Sequence, residues 1–271
     1  MSIIFASGTS GTIGKHFGNK VSEINLELSN FAAIAIPLIK PGDSFLHAAA
    51  IVGPVNVAKD INFAYLINVK GTKRLAQIAK DNGVSKFVFV STSHVYENSS
   101  HMLTESSQIF PGNIYAEQKL EAEEEVRRIF FDCPEKLCIV RVFSVLDWDV
   151  ADFTLGGGIK QLMLRGSSFA LQNADDVRDF LTPKQVASCL ISITNQQSLN
   201  GVVNLSTGIG TSVREAVKIM LEGSRYKLPT NRIISGTSDY PYVVGDNSKL
   251  KTHLPKLELK WQPASFPEWP I

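Results

Sequence analysis

Short apolar runs alternate with segments of helical periodicity through the first half of the chain. The runs are rich in β-branched and aromatic residues, as is typical of buried strands, and lie at Ile3–Ala6, Asp43–Ala50, Lys86–Val90 and Leu137–Phe143. The pattern between them predicts a helix over Asn68–Asn82, ending at Gly83, and another over Tyr115–Phe131. This alternation favours an α/β fold, a doubly wound parallel sheet with helices on both faces.

Charged residues dominate the middle of the second predicted helix. Over Glu121–Arg128, carboxylates and guanidinium groups are neighbours, and such pairs stabilise the exposed face of a helix. We interpret this run as a solvated helix surface. After Asp147 the alternation is lost, because glycine clusters interrupt short elements. A boundary is therefore predicted near that residue.

Composition narrows the possible functions. The 271 residues carry 27 Lys and Arg against 26 Asp and Glu, a net charge of +1, so binding to nucleic acid is not expected. Hydrophobic residues make up 44% of the chain, which permits a large core. The longest apolar run, Phe31–Ile39, is too short to span a membrane. Three cysteines without metal-ligand spacing, and a start without signal-peptide features, favour a cytoplasmic protein without a structural metal.

A glycine-rich segment, Gly8–Gly14, directly follows the first predicted strand. Its spacing, GxxGxxG, permits a tight turn and a close approach of the backbone to a pyrophosphate. A helix beginning there is predicted to add N–H donors and the positive end of its dipole. An ordinary strand-to-helix turn is the alternative.

A tyrosine and a lysine share a face of the second predicted helix. Tyr115 and Lys119 are four residues apart, and hydroxyl side chains at Ser91–Ser93 end a strand where ligands meet sheets of this class. A neighbouring ammonium favours the phenolate, so we expect the pKa of Tyr115 to lie below its usual value of about 10. Such a phenol exchanges protons with a sugar hydroxyl near neutral pH. The alternative is a surface tyrosine beside a lysine.

With these segments, five further motifs make the sequence resemble the extended short-chain dehydrogenase/reductase family, which includes nucleotide-sugar epimerases, dehydratases and reductases. The further motifs are Phe45–Ala50, Asn68–Thr72, Arg178–Leu181, Gly201–Gly208 and Gly245–Lys249. The resemblance implies a Rossmann-type domain over residues 1–146, with the region of the second strand shortened. It also implies a mainly substrate-binding region over 147–271, from which part of 183–206 returns to the sheet.

The resemblance further implies that NAD or NADP is the cofactor. Tyr115 is then the acid/base, Lys119 holds the nicotinamide ribose and lowers the Tyr115 pKa, and Thr92 is the catalytic hydroxyl residue. Cofactor contacts are implied for Gly8, Ser10, Gly11, Thr12, Ile13, Gly14, Glu27, Leu28, Ala48, Ala49, Ala50, Asn68, Tyr115, Lys119 and Phe143.

A nucleotide-linked sugar is the implied substrate and a homodimer the implied assembly. Ser93, His94, Ser144 and Arg178 fall at substrate-binding positions. Arg178 matches an arginine that grips nucleotide phosphates, a role suited to a planar guanidinium. An ion pair with Asp175 or Asp176 is its structural alternative.

The sequence departs from the family pattern in two regions. Ser93 and His94 replace the Asp-Glu pair of dehydratases, which disfavours dehydration; His94 is either an acid/base or sugar contact, or a hydrogen-bonded loop histidine. Ser144 stands where many relatives have asparagine.

The span from Gly14 to His47 is short, and with Glu27 placed near the adenine the usual ribose-binding acid is predicted to be trimmed away. Glu23 is then a weak substitute, and the choice between NAD and NADP stays open.

Three functions are therefore considered. The first is a nucleotide-sugar 4-keto reductase in which Tyr115 protonates the oxygen that forms at C4. The second is a 4-epimerase using the same residues, and the third is a silent dinucleotide-binding module. The apparently shortened cofactor region favours the reductase, because an epimerase must hold its cofactor throughout the cycle. The intact pair of Tyr115 and Lys119 argues against the silent module.

Overall fold

A parallel sheet forms the centre of the molecule. The computed structural model describes residues 2–24, 39–152, 154–165, 170–222 and 232–265. The six strands of the sheet are β1 (Ile4–Ser7), β2 (Ser22–Ile24), β3 (Ser44–His47), β4 (Lys86–Thr92), β5 (Leu137–Val142) and, later in the chain, β9 (Gly201–Leu205). Their order is β2-β1-β3-β4-β5-β9, and every neighbouring pair is parallel. The predicted doubly wound α/β sheet is confirmed.

Helices cover both faces of this sheet. Alternate strand residues point to opposite faces, so Phe87 and Phe89 pack in the same cluster as Leu75 of α3 (Thr72–Asp81) and Val126 of α4 (Ile114–Ile129). Val88 belongs to a second cluster, with side chains of α6 (Pro183–Asn195) and α8 (Ser248–His253). Burial on both faces explains why these strands read as continuous apolar runs.

The two predicted helices are present. A π-helical segment over Leu66–Gly71 leads into α3, and Gly83 follows its end with φ +72°. Glycine adopts this left-handed conformation without steric cost, so it ends the helix where the sequence predicts. The other helices are α1 (Pro54–Lys59), α2 (Ile61–Tyr65), α5 (Leu155–Arg165) and α7 (Val213–Leu221).

The prediction of a helix directly after the glycine loop is wrong. Two 3-10 turns, Gly14–His16 and Gly18–Lys20, stand in its place. Gly18 has φ +57°, which a continuing α-helix does not accommodate. The dipole of a full helix is therefore absent from this loop, and close backbone approach is the property the loop retains.

The second strand is retained in shortened form. It carries Glu23 and pairs with β1 through the register Ala6↔Glu23. The predicted shortening of the second-strand region is confirmed: three residues form the parallel pair and carry Glu23, the substitute that the sequence offers for the usual ribose-binding acid. Glu27 and Leu28, predicted near the adenine, lie outside the described residues.

A smaller region follows the sheet domain. It contains the paired strands β6 (Ser144–Val145) and β8 (Phe180–Leu181), and a sheet of order β10-β7-β11 formed by β7 (Val177–Arg178), β10 (Thr211–Ser212) and β11 (Tyr242–Val243). Its own core includes Trp148, Ile159, Phe180 and Met220. Within the described ranges, every helix is too short or too polar to span a bilayer.

Candidate active site

Asn113 determines where the tyrosine and the lysine lie. Its side chain caps α4 by accepting a hydrogen bond from the Ala116 amide at 3.0 Å, a role for which asparagine is favoured. Tyr115 consequently falls in the first helical turn and Lys119 one turn later on the same face. Both side chains are buried, with exposed fractions of 8% and 2%.

Thr92 joins this pair from the end of β4. The residue ends the strand, and its hydroxyl oxygen accepts a hydrogen bond from the His94 amide at 3.3 Å. The Thr92 side chain also acts on the Tyr115 phenol, whose pKa it lowers. The structure thus brings together the three residues predicted to be catalytic, on two elements that pack against each other.

Lys119 is held against β4. Its Nζ donates to the Val90 carbonyl oxygen at 2.6 Å and lies 4.1 Å from the centroid of the Phe89 ring. Burial lowers the pKa of Lys119 to about 7, against an opposing contribution from the Glu123 charge. A lysine so placed loses its proton near neutral pH.

The predicted direction of the Tyr115 pKa shift is wrong. Burial raises the pKa of Tyr115 to about 12, although the Thr92 side chain lowers it. Because Lys119 is deprotonated well below that pH, it offers no positive charge when the phenol ionises. Tyr115 is therefore a neutral proton donor at physiological pH in the protein alone.

His94 lies beside the phenol, and Arg178 is near enough to His94 for its charge to act on the imidazole. The His94 and Tyr115 rings are 6.3 Å apart and meet edge-on. The His94 side chain is exposed in this cleft, yet desolvation by the cleft walls and then the positive charge of Arg178 lower its pKa. His94 is consequently neutral at pH 7 and able to donate or accept a hydrogen bond, as either of its predicted roles requires.

Arg178 makes the ion pair that the sequence left open. Its Nη2 donates to Asp176 Oδ2 at 2.7 Å and its Nη1 to the Val177 carbonyl oxygen at 3.0 Å. The side chain is half-buried, and desolvation lowers its pKa. The ion pair holds the guanidinium beside His94, so the structural pairing and a role in phosphate binding are compatible.

A cavity of about 370 Å³ opens over the carboxyl ends of β1 and β3. Its walls include the whole glycine loop, Gly8 to Gly14, and Ala48, Ala49 and Ala50. Glu23 and the apolar side chains of Ile24, Ile51 and Ile67 complete the wall on one side. Small residues, a carboxylate and an apolar surface suit the diphosphate, a ribose and the adenine of a dinucleotide, respectively.

Asn68 shapes the wall of this cavity without lining it. Its Oδ1 accepts from the Ile51 amide at 2.8 Å, and its Nδ2 donates to the Ile51 carbonyl oxygen at 3.1 Å and to Gln118 Oε1 at 2.9 Å. Asn68, which the sequence predicts to contact the cofactor, is thus buried in a π-helical turn and fixes the loop after β3. Irregular turns of this kind are common at functional sites.

His47 ties β1 to the same π-helical turn. Thr72 donates its hydroxyl proton to the Asn68 carbonyl oxygen at 2.7 Å, so it accepts from His47 Nε2 at 2.8 Å, and His47 Nδ1 accepts from Ser7 at 2.7 Å. Burial, and then the charge of Lys119, lower the pKa of His47 to about 3. His47 is therefore a neutral histidine with a structural role.

Phe143 and Ser144, like Asn68, Tyr115 and Lys119, are not among the walls of the cavity. The Phe143 side chain packs beneath the site with Tyr96 and Leu103. Ser144 is half-buried on β6, where its amide bonds the Asp179 carbonyl oxygen at 3.0 Å. The cavity instead reaches Val145, Val150, Ala151 and Thr154, at and beyond the predicted boundary; no motif in the sequence marks these four residues.

Glu123 is the residue that the sequence interpretation misses. The run Glu121–Arg128 has the charge pattern of a solvated surface, but Glu123 is fully buried and bonded to Arg141. Its position four residues after Lys119 is the available signal, because that spacing places the two side chains on one helical face.

Comparison with known proteins agrees with this geometry. Residues 11–206 match the model of the NAD dependent epimerase/dehydratase family. GDP-6-deoxy-D-talose 4-dehydrogenase of Aggregatibacter actinomycetemcomitans is 28% identical over 267 residues, which cover 91% of this chain and 89% of that protein. The chain belongs to the NAD dependent epimerase/dehydratase family, whose members act on nucleotide sugars.

Two solved structures show the same fold. RMD from Pseudomonas aeruginosa, complexed with NADPH, superposes with a TM-score of 0.80 at 20% identity, covering 96% of this chain and 94% of that one. UDP-glucose 4-epimerase of Thermus thermophilus, in complex with NAD, has a TM-score of 0.79 at 19% identity, covering 95% and 94%. The cofactor of the family is NAD or NADP, and the cavity described above fits it.

Proposed function

We propose that the protein is an NAD(P)-dependent oxidoreductase that reduces the 4-keto group of a nucleotide-linked sugar. The observation that carries this proposal is that Thr92, Tyr115 and Lys119 come together at the carboxyl end of β4, in the sheet whose neighbouring strands β1 and β3 open into the glycine-lined cavity. The relative from Aggregatibacter, a 4-dehydrogenase aligned over nearly its whole length, supports chemistry at C4.

Each side chain of the site has its own role in the proposed reduction. Tyr115 protonates the oxygen that forms at C4, and Thr92 donates a hydrogen bond to the same oxygen. Lys119 holds the nicotinamide ribose, and Arg178 binds the diphosphate of the substrate. When bound, the nicotinamide supplies the hydride. Ser93 and His94 contact the sugar, and neither is the carboxylic acid that dehydration in this family uses.

A 4-epimerase with the same residues is the second candidate. Retention of Glu23 supports it, because a complete ribose contact helps to keep the cofactor bound. The protonation state of Tyr115 supports the reductase instead: reduction begins with the phenol as proton donor, whereas epimerisation begins with it as base. The high pKa of Tyr115 matches the donor form.

Cofactor release and turnover distinguish the candidates. The purified protein is denatured, and any nicotinamide released is identified by mass spectrometry. NADH or NADPH is then offered with GDP-, UDP- and dTDP-linked 4-keto-6-deoxyhexoses. Stoichiometric oxidation of added NAD(P)H supports the reductase. Tightly retained NAD with interconversion of 4-hydroxy sugars and no net consumption supports the epimerase, and no turnover in either assay supports the silent module.

Glu23 is expected to select NAD over NADP. Its side chain lies on β2 and lines the cavity, and we propose that the carboxylate accepts a hydrogen bond from the 2′-hydroxyl of the adenine ribose and repels a 2′-phosphate. We expect Glu23→Ala to weaken NADH binding about tenfold, the loss of a hydrogen bond to a charged group, while NADPH binding improves. Fluorescence titration measures both affinities. Glu135→Ala, at an exposed carboxylate on a distant 3-10 turn, is the control, and unchanged selectivity in Glu23→Ala would refute the assignment.

We also propose that the chain forms a homodimer. The exposed apolar side chains Val55, Ile61, Phe63 and Leu66 lie close together in sequence on α1, α2 and the turn that follows. Clustered exposed apolar groups are typical of association surfaces. We expect light scattering to give twice the monomer mass, and Phe63→Glu to give the monomer. A monomeric parent protein would contradict this.

A further inference from the structure

Glu123 is a carboxylate with no exposed surface, whereas Glu124, the next residue of the same helix, is half-exposed. Glu123 lies one turn beyond Lys119, on the face of α4 that packs against β4 and β5. Glu124 pairs with Arg128. A buried carboxylate is costly unless it is paired and hydrogen-bonded, so its partners indicate what it does.

Three groups hold the Glu123 carboxylate. Arg141 of β5 bonds both of its oxygens, with Nε 3.0 Å from Oε1 and Nη2 2.7 Å from Oε2. Ser91 Oγ donates to Oε1 at 2.6 Å. Arg127, on the same helix, donates to Oε2 at 2.9 Å. Bidentate pairing with a guanidinium fixes orientation as well as charge, so the carboxylate has one defined position.

These contacts connect the helix to the strands that carry the site. Ser91 directly precedes Thr92 and is the register partner of Arg141 across the β4–β5 pair. The Arg141 guanidinium lies 4.6 Å from the centroid of the Tyr96 ring, and Tyr96 donates to Asn204 on β9 at 2.6 Å. A displacement of Glu123 therefore alters the position of α4 relative to the end of β4.

We propose that Glu123 is a positioning residue that fixes Lys119 relative to Thr92. Its buried negative charge also keeps part of Lys119 in the charged ammonium form at neutral pH. This role rests on the proposed function of the site. Glu123 touches neither substrate nor cofactor; it acts through Lys119 and through the strand that carries Thr92.

The surroundings of Lys119 explain why a nearby anion matters. Lys119 is desolvated, and it faces the neutral His47 from β3, the neutral Tyr115 from α4, and the Phe89 ring and Val90 carbonyl oxygen of β4. Desolvation lowers the pKa of Lys119 to about 7, and the Glu123 charge raises it against that effect. Removing the charge lowers this pKa further, so that less of the ammonium remains at neutral pH.

The ε-carbon NMR resonance of Lys119 gives a test that requires no substrate. The resonance is recorded across a pH series in protein with labelled lysine. The signal that disappears in the Lys119→Arg variant is assigned to Lys119. We expect Glu123→Gln, which keeps the shape of the side chain, to lower the titration midpoint by roughly one pH unit, the lower end of the effect of a nearby opposite charge. The alkaline limb of NADH binding should move by the same amount.

A paired replacement protects the test against misfolding. Glu123→Gln leaves Arg141 buried without its partner, whereas Glu123→Gln combined with Arg141→Met removes both charges, which proteins often tolerate. The lower Lys119 midpoint is expected in this variant too, and Glu124→Gln, at the exposed neighbour, should leave it unchanged. An unaltered midpoint in the folded paired variant would overturn the proposal. If the Lys119 midpoint shifts as expected but the parent protein itself turns over no 4-keto nucleotide sugar, the result would instead count against the proposed function.

Discussion

Replacing Tyr115 with phenylalanine is expected to lower kcat by about 10²–10⁴-fold, the contribution of one positioned acid or base. The variant keeps the ring, which packs with Val57 and Ala64, so folding and cofactor binding should be preserved. Only the proton donor and its interaction with Thr92 are lost. Steady-state kinetics with a 4-keto nucleotide sugar measure the change, and KM should move little.

Tyr65→Phe is the matched control for this prediction. The Tyr65 hydroxyl donates to Glu121 at 2.6 Å, and neither residue is among the walls of the cavity, so removal of this hydroxyl should leave kcat within about twofold, in line with the small effects of surface changes. If Tyr115→Phe turns over as fast as the parent protein, Tyr115 is not the acid, and both the reductase and the epimerase mechanisms fail.

The pH dependence of cofactor binding and of reduction distinguishes the contribution of the Tyr115 phenol from that of the Lys119 ammonium. With a pKa of about 12, Tyr115 keeps its proton throughout the neutral range, so loss of the phenolic proton cannot limit reduction near pH 7. Lys119, with a pKa lowered to about 7, is charged below that pH and neutral above it. Cofactor binding should therefore weaken as the pH rises through about 7, and Tyr115→Phe should show the same dependence.

The sheet and the positions of Thr92, Tyr115 and Lys119 were predictable because local patterns determine them. Buried parallel strands appear as apolar runs wherever they occur, and the four-residue spacing of Tyr115 and Lys119 becomes one helical face in any α-helix. The apolar run also predicts that Thr92 lies at the end of a strand, whereas its catalytic role is implied only by the resemblance to the family. These positions depend on the chain near each residue, so the sequence pattern is sufficient to identify them.

The errors concern properties that arise between distant segments. Glu123 lies among charges typical of a surface, and only the packing of α4 on β5 brings Arg141 beneath it. The pKa of Tyr115 depends on desolvation by the whole site, which outweighs the proximity of a lysine that has itself lost its charge. The helix predicted after the glycine loop fails because a single backbone conformation, at Gly18, interrupts it.

Substitution of the loop glycines is expected to have the second large effect, because two independent constraints meet in this loop. A Cβ at Gly14 would lie 2.0 Å from the Gly8 carbonyl oxygen, and one at Gly8 would lie 2.5 Å from the Ala49 amide nitrogen. Gly8 also has φ +79°. We expect Gly14→Ala to weaken NADH binding about 100-fold, because relieving a hard overlap costs about 1–3 kcal/mol and the shifted backbone lines the cavity. Gly8→Ala introduces an overlap too, and its free energy of unfolding should be lower by roughly a further 1–2 kcal/mol, the cost of a left-handed conformation at a residue other than glycine.

Gly18 separates these two constraints. Its φ is +57°, but a Cβ there meets nothing within 4 Å, so Gly18→Ala carries the conformational cost without the overlap. Denaturant unfolding should show a loss of about 1 kcal/mol in this variant, and NADH titration should show nearly unchanged affinity. If Gly14→Ala binds NADH as tightly as Gly18→Ala does, the loop has room to rearrange. Close backbone approach would then not be what this shortened loop contributes to cofactor binding.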